Sequence, residues 1–334
     1  MEVKYLDHSE YEKWDAFVQE SPQGYVWDYS WFSSIVTSND FRICALLDDD
    51  NIIVAGIVLH FFSTGKIVTP QLTQSSGLLF EDMSKRNNMR YQKQLTTQKE
   101  YTKLIFDFIE KDIKSFNVCF HYNYDYWLPL YWRGYWQTTR YTYIIDFNNY
   151  VLEDEFKRFS KGHKWILNKV EKKSDLKVEE GKLEEYLAQS TKTYERQHIQ
   201  RPYTDEMVTA ICAELQKKDM LRIFKITDSS DRIHAISCFI TDHNETYYWL
   251  GASDESLRDS GGHTYLIWYA IQYFSDKVRY FNFGGSMIEA VEKNFRNFSS
   301  PFRMFFFISK GAAPKHPNLH KIFSKMSRFI EKRL

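Results

Sequence analysis

The chain has 334 residues, with 44 Lys or Arg against 44 Asp or Glu, so its formal net charge is zero. That length predicts about two domains of ordinary size. The charge balance removes the global positive field behind non-specific nucleic-acid affinity, so DNA is not an expected partner, although a local basic patch stays open.

Apolar residues make up 43% of the chain, enough for real cores, and no stretch reaches the length of a membrane span. The start, Met1–Asp7, alternates and carries charges, unlike a signal peptide. Cys44, Cys119, Cys212 and Cys238 are scattered in apolar runs without metal-ligand spacing. They predict buried free thiols, a reducing, cytoplasmic compartment and no metal.

In chain order, Glu2–Leu6 reads as a strand, and Ser9–Gln19 and Ser30–Thr37 as helices. A hairpin follows in Arg42–Phe61, turning at Asp48-Asp49-Asp50-Asn51, and then a strand at Lys66–Thr69. Leu104, Ile105, Phe108 and Ile109 recur at helical spacing. Asn117–His121 reads as a buried strand, and Thr139–Phe147 as a final aromatic strand.

The same order then returns. Leu176–Glu180 is a strand, Lys182–Tyr194 and Asp205–Lys217 are helices, and Arg222–Thr241 is a hairpin turning at Asp228-Ser229-Ser230-Asp231. Thr246–Leu250, a helix with Leu266, Ile267, Ala270 and Ile271 on one face, Tyr280–Phe283 and Arg303–Ile308 complete it. The two hairpins align without gaps at an offset of 180, pairing Arg42 with Arg222, Asp48 with Asp228 and Ala55 with Ala235. An internal repeat is therefore expected, with a first unit over 1–150 and a second over 151–334.

Between the copies, Glu153–Lys173 reads as one helix. Phe156, Phe159, His163, Ile166 and Val170 fall on one face, and Lys157, Lys161, Lys164, Asn168 and Lys172 on the other. The basic face is either solvated or an anion-binding surface. Gly162 suggests a kink or a close backbone contact. The segment Tyr122–Tyr143 is dense in Tyr and Trp, which fits packing or an aromatic-walled groove for a sugar or nucleobase. His320–Leu334 sets Ile322, Phe323, Met326, Phe329 and Ile330 among six basic residues and reads as a packing helix or a peripheral membrane contact.

The order β-α-α-β-β-β-α-β-α-β with a mixed sheet resembles the GNAT N-acyltransferase fold. Four segments carry the likeness: the lysine-rich helix around Lys161–Lys173; Tyr247–Ser253; the Gly-Gly loop into Thr264–Phe274; and Phe281-Asn282-Phe283-Gly284-Gly285-Ser286 with Asn294–Phe298. Two such units in one chain resemble the Fem-type peptidoglycan-bridge aminoacyltransferases and their CoA-using relatives. The fold class expected is α/β with a mixed sheet, a tandem duplicated GNAT fold.

The resemblance implies an acyl-CoA donor, acetyl-CoA foremost, whose pyrophosphate lies on the helix start that follows the fourth strand. Arg258-Asp259-Ser260-Gly261-Gly262-His263-Thr264 stands there, against a family pattern Gln/Arg-x-x-Gly-x-Gly/Ala. Arg258 and Gly261 match, and His263 replaces the usual Gly or Ala. Trp249 and Leu250 of the preceding strand join this group as carrier contacts. The first copy has Glu81–Thr97 at the corresponding place, with no glycine, and is expected to act as scaffold without a carrier.

For the chemistry, the fold places carbonyl-oxygen donors on the backbone of Thr246–Ser253. Tyr248 is a candidate proton donor, and Asp254 and Glu255 are candidate bases, all three also readable as packing or turn residues. Candidate acceptor contacts are Lys161, Lys164, Arg201, Tyr203, Gly284, Gly285 and Ser286, with Arg201 suited to clamp a carboxylate or phosphate. His234 reads as structural.

The function expected is transfer of an acyl group from CoA to an amine on a cell-envelope, sugar or peptide precursor. Two rivals stand beside it: aminoacyl transfer from charged tRNA, and a binding module without catalysis. Oligomeric state is not indicated.

Overall fold

The computed structural model describes every residue except 87–88, 150, 173–174, 197, 199, 299 and 312–334. The amphipathic segment His320–Leu334 lies outside the described residues. In chain order the elements are β1 (Glu2–Tyr5), α1 (Tyr11–Glu20), α2 (Ser30–Thr37), β2 (Phe41–Leu47), β3 (Ile53–Ser63), β4 (Lys66–Val68), β5 (Leu79–Phe80), α3 (Tyr91–Ile109), β6 (Ser115–Cys119), α4 (Leu128–Tyr131) and β7 (Trp136–Asp146). They continue as α5 (Leu152–Arg158), α6 (Lys161–Glu171), β8 (Lys177–Glu180), α7 (Leu183–Arg196), α8 (Asp205–Lys217), β9 (Leu221–Thr227), β10 (Ile233–Thr241), β11 (Glu245–Ser253), α9 (Gly262–Phe274), β12 (Tyr280–Asn282), α10 (Glu289–Arg296) and β13 (Phe302–Lys310).

The repeat is physical at its clearest point. In the β2–β3 turn the Asp48 carboxylate accepts from the N–H groups of Asp50 and Ile52. In the β9–β10 turn the Asp228 carboxylate accepts from Ser230 and Arg232 in the same way. Both turns then need one left-handed residue, Asn51 (φ 62°) and Asp231 (φ 56°), a conformation that Asn and Asp tolerate better than most side chains. Arg232 and His234 also bond to Asp228, so His234 is a turn support.

The chain divides into two compact units. The first takes in Met1–Arg140 and, among the described C-terminal residues, those from Met304 on; the second takes in Tyr141–Arg303. In the first unit β1, β2, β3, β4, β6 and β13 lie side by side, and among the described residues only β4 and β6 run parallel. In the second the order is β7, β12, β11, β10, β9 and β8, and only β11 and β12 run parallel.

The last strands do not close the halves in which they occur in sequence. The second part of β7 pairs with β12, Ile145 opposite Phe281, and so belongs to the second unit. The end of β13 pairs with β6, Phe307 opposite Cys119, and so belongs to the first. An aromatic strand carries no mark of which sheet edge it will join, because its period of two is satisfied by either.

The connecting segment is also not one helix. The chain breaks at Phe159 and Ser160, both extended, and the Ser160 hydroxyl accepts from the His163 N–H to cap α6. A Cβ on Gly162 would meet only the Ser160 hydroxyl, at 3.9 Å, so Gly162 marks neither a kink nor a close contact. Phe159, His163, Leu167 and Val170 are buried, while Lys161, Trp165, Asn168 and Lys172 are exposed.

Leu266, Ile267, Ala270, Ile271 and Phe274 of α9 are buried against Phe224, Phe239 and Phe281 of the sheet. In the first unit Ile105 and Ile109 of α3 do the same against Phe116 and Val118. Tyr124 and Tyr135 of the aromatic segment belong to that core, whereas Tyr131, Trp132 and Trp136 are exposed. Cys44, Cys212 and Cys238 are buried free thiols; burial pushes the first two up to about 12.

Candidate functional site

Two local irregularities open the second unit's sheet. The β10–β11 register steps from Cys238–Leu250 to Phe239–Tyr248, so Trp249 sits at a bulge. On the other side, the parallel β11–β12 ladder ends at Tyr247–Asn282. Beyond that pair the chain turns away through Gly284 (φ 84°) and Gly285 (φ 63°). A Cβ on Gly285 would lie 2.2 Å from the Tyr141 carbonyl, so this turn tolerates no side chain.

A fully buried asparagine fixes the branch point. Asn282 Oδ1 accepts from Thr142 Oγ1 (2.6 Å) and from the Gly284 N–H (2.9 Å), and its Nδ2 donates to Glu245 Oε1 (2.6 Å). One side chain thus ties β7, β11 and the glycine turn together. The sequence signal for it is a polar residue inside the apolar run Phe281-Asn282-Phe283. Ser286 Oγ accepts from the Ile288 N–H and shapes the next turn.

The first unit repeats the parallel pair but not the opening. There Thr69 N–H donates to Asn117 O (3.1 Å), Thr69 Oγ1 accepts from the Cys119 N–H (2.7 Å), and Ser76 N–H donates to Cys119 O (2.9 Å). Gly77 lies against the Phe120 ring, where a Cβ would be 2.4 Å away. The segment after β4 therefore laces that gap shut.

Tyr248 and His263 are brought together: Tyr248 Oη and His263 Nε2 are 2.9 Å apart. The Tyr248 ring packs between Phe239 and Phe295. Burial pushes Tyr248 up to about 12. Burial also pushes His263 down to about 4, with His163 and Arg258 adding to the effect, so the imidazole is neutral at pH 7. The pair depends on Gly251, where a Cβ would lie 1.9 Å from Tyr248 Oη. Gly251→Ala is expected to drive the hydroxyl off the imidazole and open the pocket, so that the His263 pKa rises from about 4 toward the ordinary 6.5. An NMR titration of the imidazole checks this, and an unchanged pKa would contradict the contact.

The two candidate bases have other partners. Asp254 Oδ1 accepts from Ser256 N (2.9 Å) and Oγ (2.6 Å), and these bonds hold its carboxyl below the ordinary range. Glu255 pairs with Arg196 (3.4 Å) and Arg258 (3.9 Å). Both lie in the turn at the end of β11.

Arg201 lines a shallow cleft of about 290 Å³ with Thr191, Tyr194, Glu195 and Gln200. Its Nε donates to Tyr203 O, its Nη2 pairs with Asp205, and its Nη1 is buried with no acceptor among the described residues. Tyr203 Oη is 3.0 Å from Tyr186 Oη. On α6, Lys164 Nζ donates to Lys157 O and Lys161 is exposed.

At the start of α9 two N–H groups are taken internally: Gly261 donates to Arg258 O (3.2 Å) and Gly262 to Ser260 Oγ (3.1 Å). A Cβ on Gly261 would lie 2.4 Å from Ile166 Cγ2, so α6 rests directly on the loop. Lys169 Nζ donates to Asp259 O (2.8 Å) and ties the two together. Thr264 is buried in the first turn, and Leu250 of β11 is buried as well. Among the described residues no group of His, Cys, Asp or Glu is placed to hold a metal ion, and no helix is long and apolar enough to cross a membrane.

Residues 160–293 match the family model of the acetyltransferase (GNAT) domain. A comparison with curated protein sequences finds no match. Among solved structures the chain is similar to FemX at 12% identity and a TM-score of 0.66, covering 92% of this chain and 97% of that one. It is similar to L-PGS from Bacillus licheniformis at 13% identity and a TM-score of 0.56, covering 96% and 97%. It is also similar to a tandem GNAT protein from the clavulanic acid biosynthesis pathway at 8% identity and a TM-score of 0.51, covering 94% and 100%. At these identities the likeness establishes the fold: a tandem GNAT fold with a mixed sheet in each unit, resembling the Fem-type proteins.

Proposed function

We propose that this protein is an N-acyltransferase that forms an amide in its second unit, at the opening between β11 and β12. The observation that carries this reading is the paired break at Trp249 and at Tyr247–Asn282. Where β12 leaves β11, the side of β11 beyond Tyr247 that had faced β12 looks onto the opening. Donors aimed where charge develops on a carbonyl oxygen give the largest catalytic term in acyl transfer. The match of residues 160–293 to the acetyltransferase domain supports the same placement.

In the reaction the amine nitrogen attacks the acyl carbonyl carbon and a C–N bond forms. The bond from that carbon to the sulfur or oxygen of the carrier breaks, and the amine's proton leaves to solvent or to the departing group. The backbone of Tyr248–Gly251 holds the oxygen. The acceptor approaches from the α7–α8 side, where the buried Nη1 of Arg201 suits a carboxylate or phosphate on a cell-envelope, sugar or peptide amine. The first unit, Met1–Arg140 with the described residues from Met304 on, is scaffold, consistent with its laced gap, and the second, Tyr141–Arg303, holds the chemistry. A cytoplasmic setting accords with the buried free thiols.

For the donor, the sequence pattern Arg258–Thr264 favours acetyl-CoA or another acyl-CoA. A second reading, an aminoacyl ester of tRNA, is favoured by the internal use of the α9 N–H groups. Backbone NMR with two non-reacting analogues, a ketone analogue of acetyl-CoA and a 3′-aminoacylamino adenosine, tests the site. One of them should shift the amide signals of Tyr248–Gly251 more than those of β8. If both leave Tyr248–Gly251 unmoved at millimolar concentration, the placement is wrong.

A further inference from the structure

We infer that α6 closes the start of α9 to a CoA pyrophosphate, with Ile166 as the closing residue. This rests on the acyltransferase reading for its meaning, and it narrows what kind of acyl carrier the second unit admits.

A helix start binds a diphosphate through open N–H groups and a backbone bare enough for the anion to approach. The backbone at Gly261 and Gly262 is not bare, and two of the first N–H groups are already used. The Gly261 and Gly262 N–H groups go to Arg258 O and Ser260 Oγ. The bare faces of both glycines are filled from this chain. Beside Gly261 lie Ile166 and Val170 of α6, where a Cβ would be 2.4 and 3.5 Å from their Cγ2 atoms. Beside Gly262 lie His234 and Ile226, each 3.0 Å from a Cβ placed there. The glycine pair exists so that α6 and the sheet can approach. The charge that would meet a pyrophosphate is also engaged: Lys169 Nζ is held on Asp259 O, and Arg258 lies 3.9 Å from Glu255.

The helix side of the slot is filled too. Tyr248 and His263 bond to each other there, and His163 stacks edge-on against Phe298 at 4.6 Å. The residues present therefore do not fit the diphosphate of CoA. The carrier that delivers the acyl group must be one that reaches the β11–β12 opening without resting on α9.

Hydrogen exchange followed by mass spectrometry on the full chain tests this, with CoA, acetyl-CoA and inorganic pyrophosphate each at 1 mM (about the top of the usual Michaelis range). Exchange in the peptide covering Arg258–Leu266 should not change with any of the three. Protection there by CoA and by pyrophosphate would overturn the inference and leave amide formation itself untouched. Protection elsewhere, with Arg258–Leu266 unchanged, upholds it. Ile166→Ala, confirmed as folded by circular dichroism, should exchange faster in Arg258–Leu266 and gain protection from pyrophosphate. A folded variant with wild-type exchange and no gain would show that Ile166 is not what closes the loop. If Ile166→Ala does not fold, Lys169→Met, which releases the clamp on Asp259 O without leaving a cavity, takes its place with the same readouts.

Discussion

Replacing Asn282 by Ala is expected to cost the second unit about 3–6 kcal/mol. The reason is that Thr142 Oγ1, the Gly284 N–H and Glu245 Oε1 each lose a buried hydrogen bond at once. Each buried group left unpaired costs about 1–3 kcal/mol, while the bond itself contributes less when made. A graded series separates the network from generic core damage. Thr142→Val removes one partner and should cost about 1 kcal/mol. Asn282→Asp keeps the shape but sets a second carboxyl against Glu245, and should fall between the two at pH 7 and recover as pH is lowered. Urea unfolding of the three variants measures this. Equal losses for Thr142→Val and Asn282→Ala would mean that Asn282 is not the branch point.

Acid should unfold the first unit through its buried histidines. His60 is buried with Nε2 2.9 Å from Ser33 Oγ, and burial pushes its pKa down to about 3. His121, whose Nδ1 accepts from the Asn123 N–H, is likewise pushed down by burial to about 3. Unfolded, both return to about 6.5. Between those values the unfolded chain binds protons that the folded chain refuses. The stabilisation is therefore complete above pH 6.5 and is lost as pH falls toward 3. Each histidine removes about 1.4 kcal/mol per pH unit. By pH 4.5 the two together remove about 5 kcal/mol, comparable with the whole stability of many domains. The urea midpoint should fall steeply from pH 6.5 downward, and His60→Gln should roughly halve the slope. A midpoint flat between pH 7 and 5 would contradict the burial of both rings.

What the sequence disclosed follows from the range of the physics. The hairpins were legible because Asp48 and Asp228 act within four residues of themselves, so a local pattern repeats intact at an offset of 180. The faces of α9 were legible because helical period and burial coincide. The strand exchange was not, since β7 and β13 satisfy either sheet edge with one pattern. The break before α6 was hidden because Ser160 fits a helix interior as well as a cap.

At the site, Tyr248 and His263 were each singled out but not as partners. Strict alternation puts residues 248 and 251 on opposite faces of a strand. The bulge at Trp249 puts them on the same face, and the glycine then leaves room for the hydroxyl to reach the imidazole. The contact between Gly261 and Ile166 is not legible, because the two lie far apart in sequence. Asp254 and Glu255 sat at the right strand end, yet their bonds run to Ser256, Arg196 and Arg258.

We propose that an amide is made at the opening beside Asn282. Product detection by mass spectrometry tests it most directly, with acetyl-CoA or a charged aminoacyl-tRNA as donor and a panel of envelope-precursor amines as acceptors. A new amide should appear with the wild-type chain. It should be lost with Gly285→Ala, whose side chain has no room beside the Tyr141 carbonyl, and persist with Thr69→Val, which touches only the laced gap of the first unit. An amide formed equally by Gly285→Ala, or lost with Thr69→Val while the fold is intact, would contradict this placement of the chemistry.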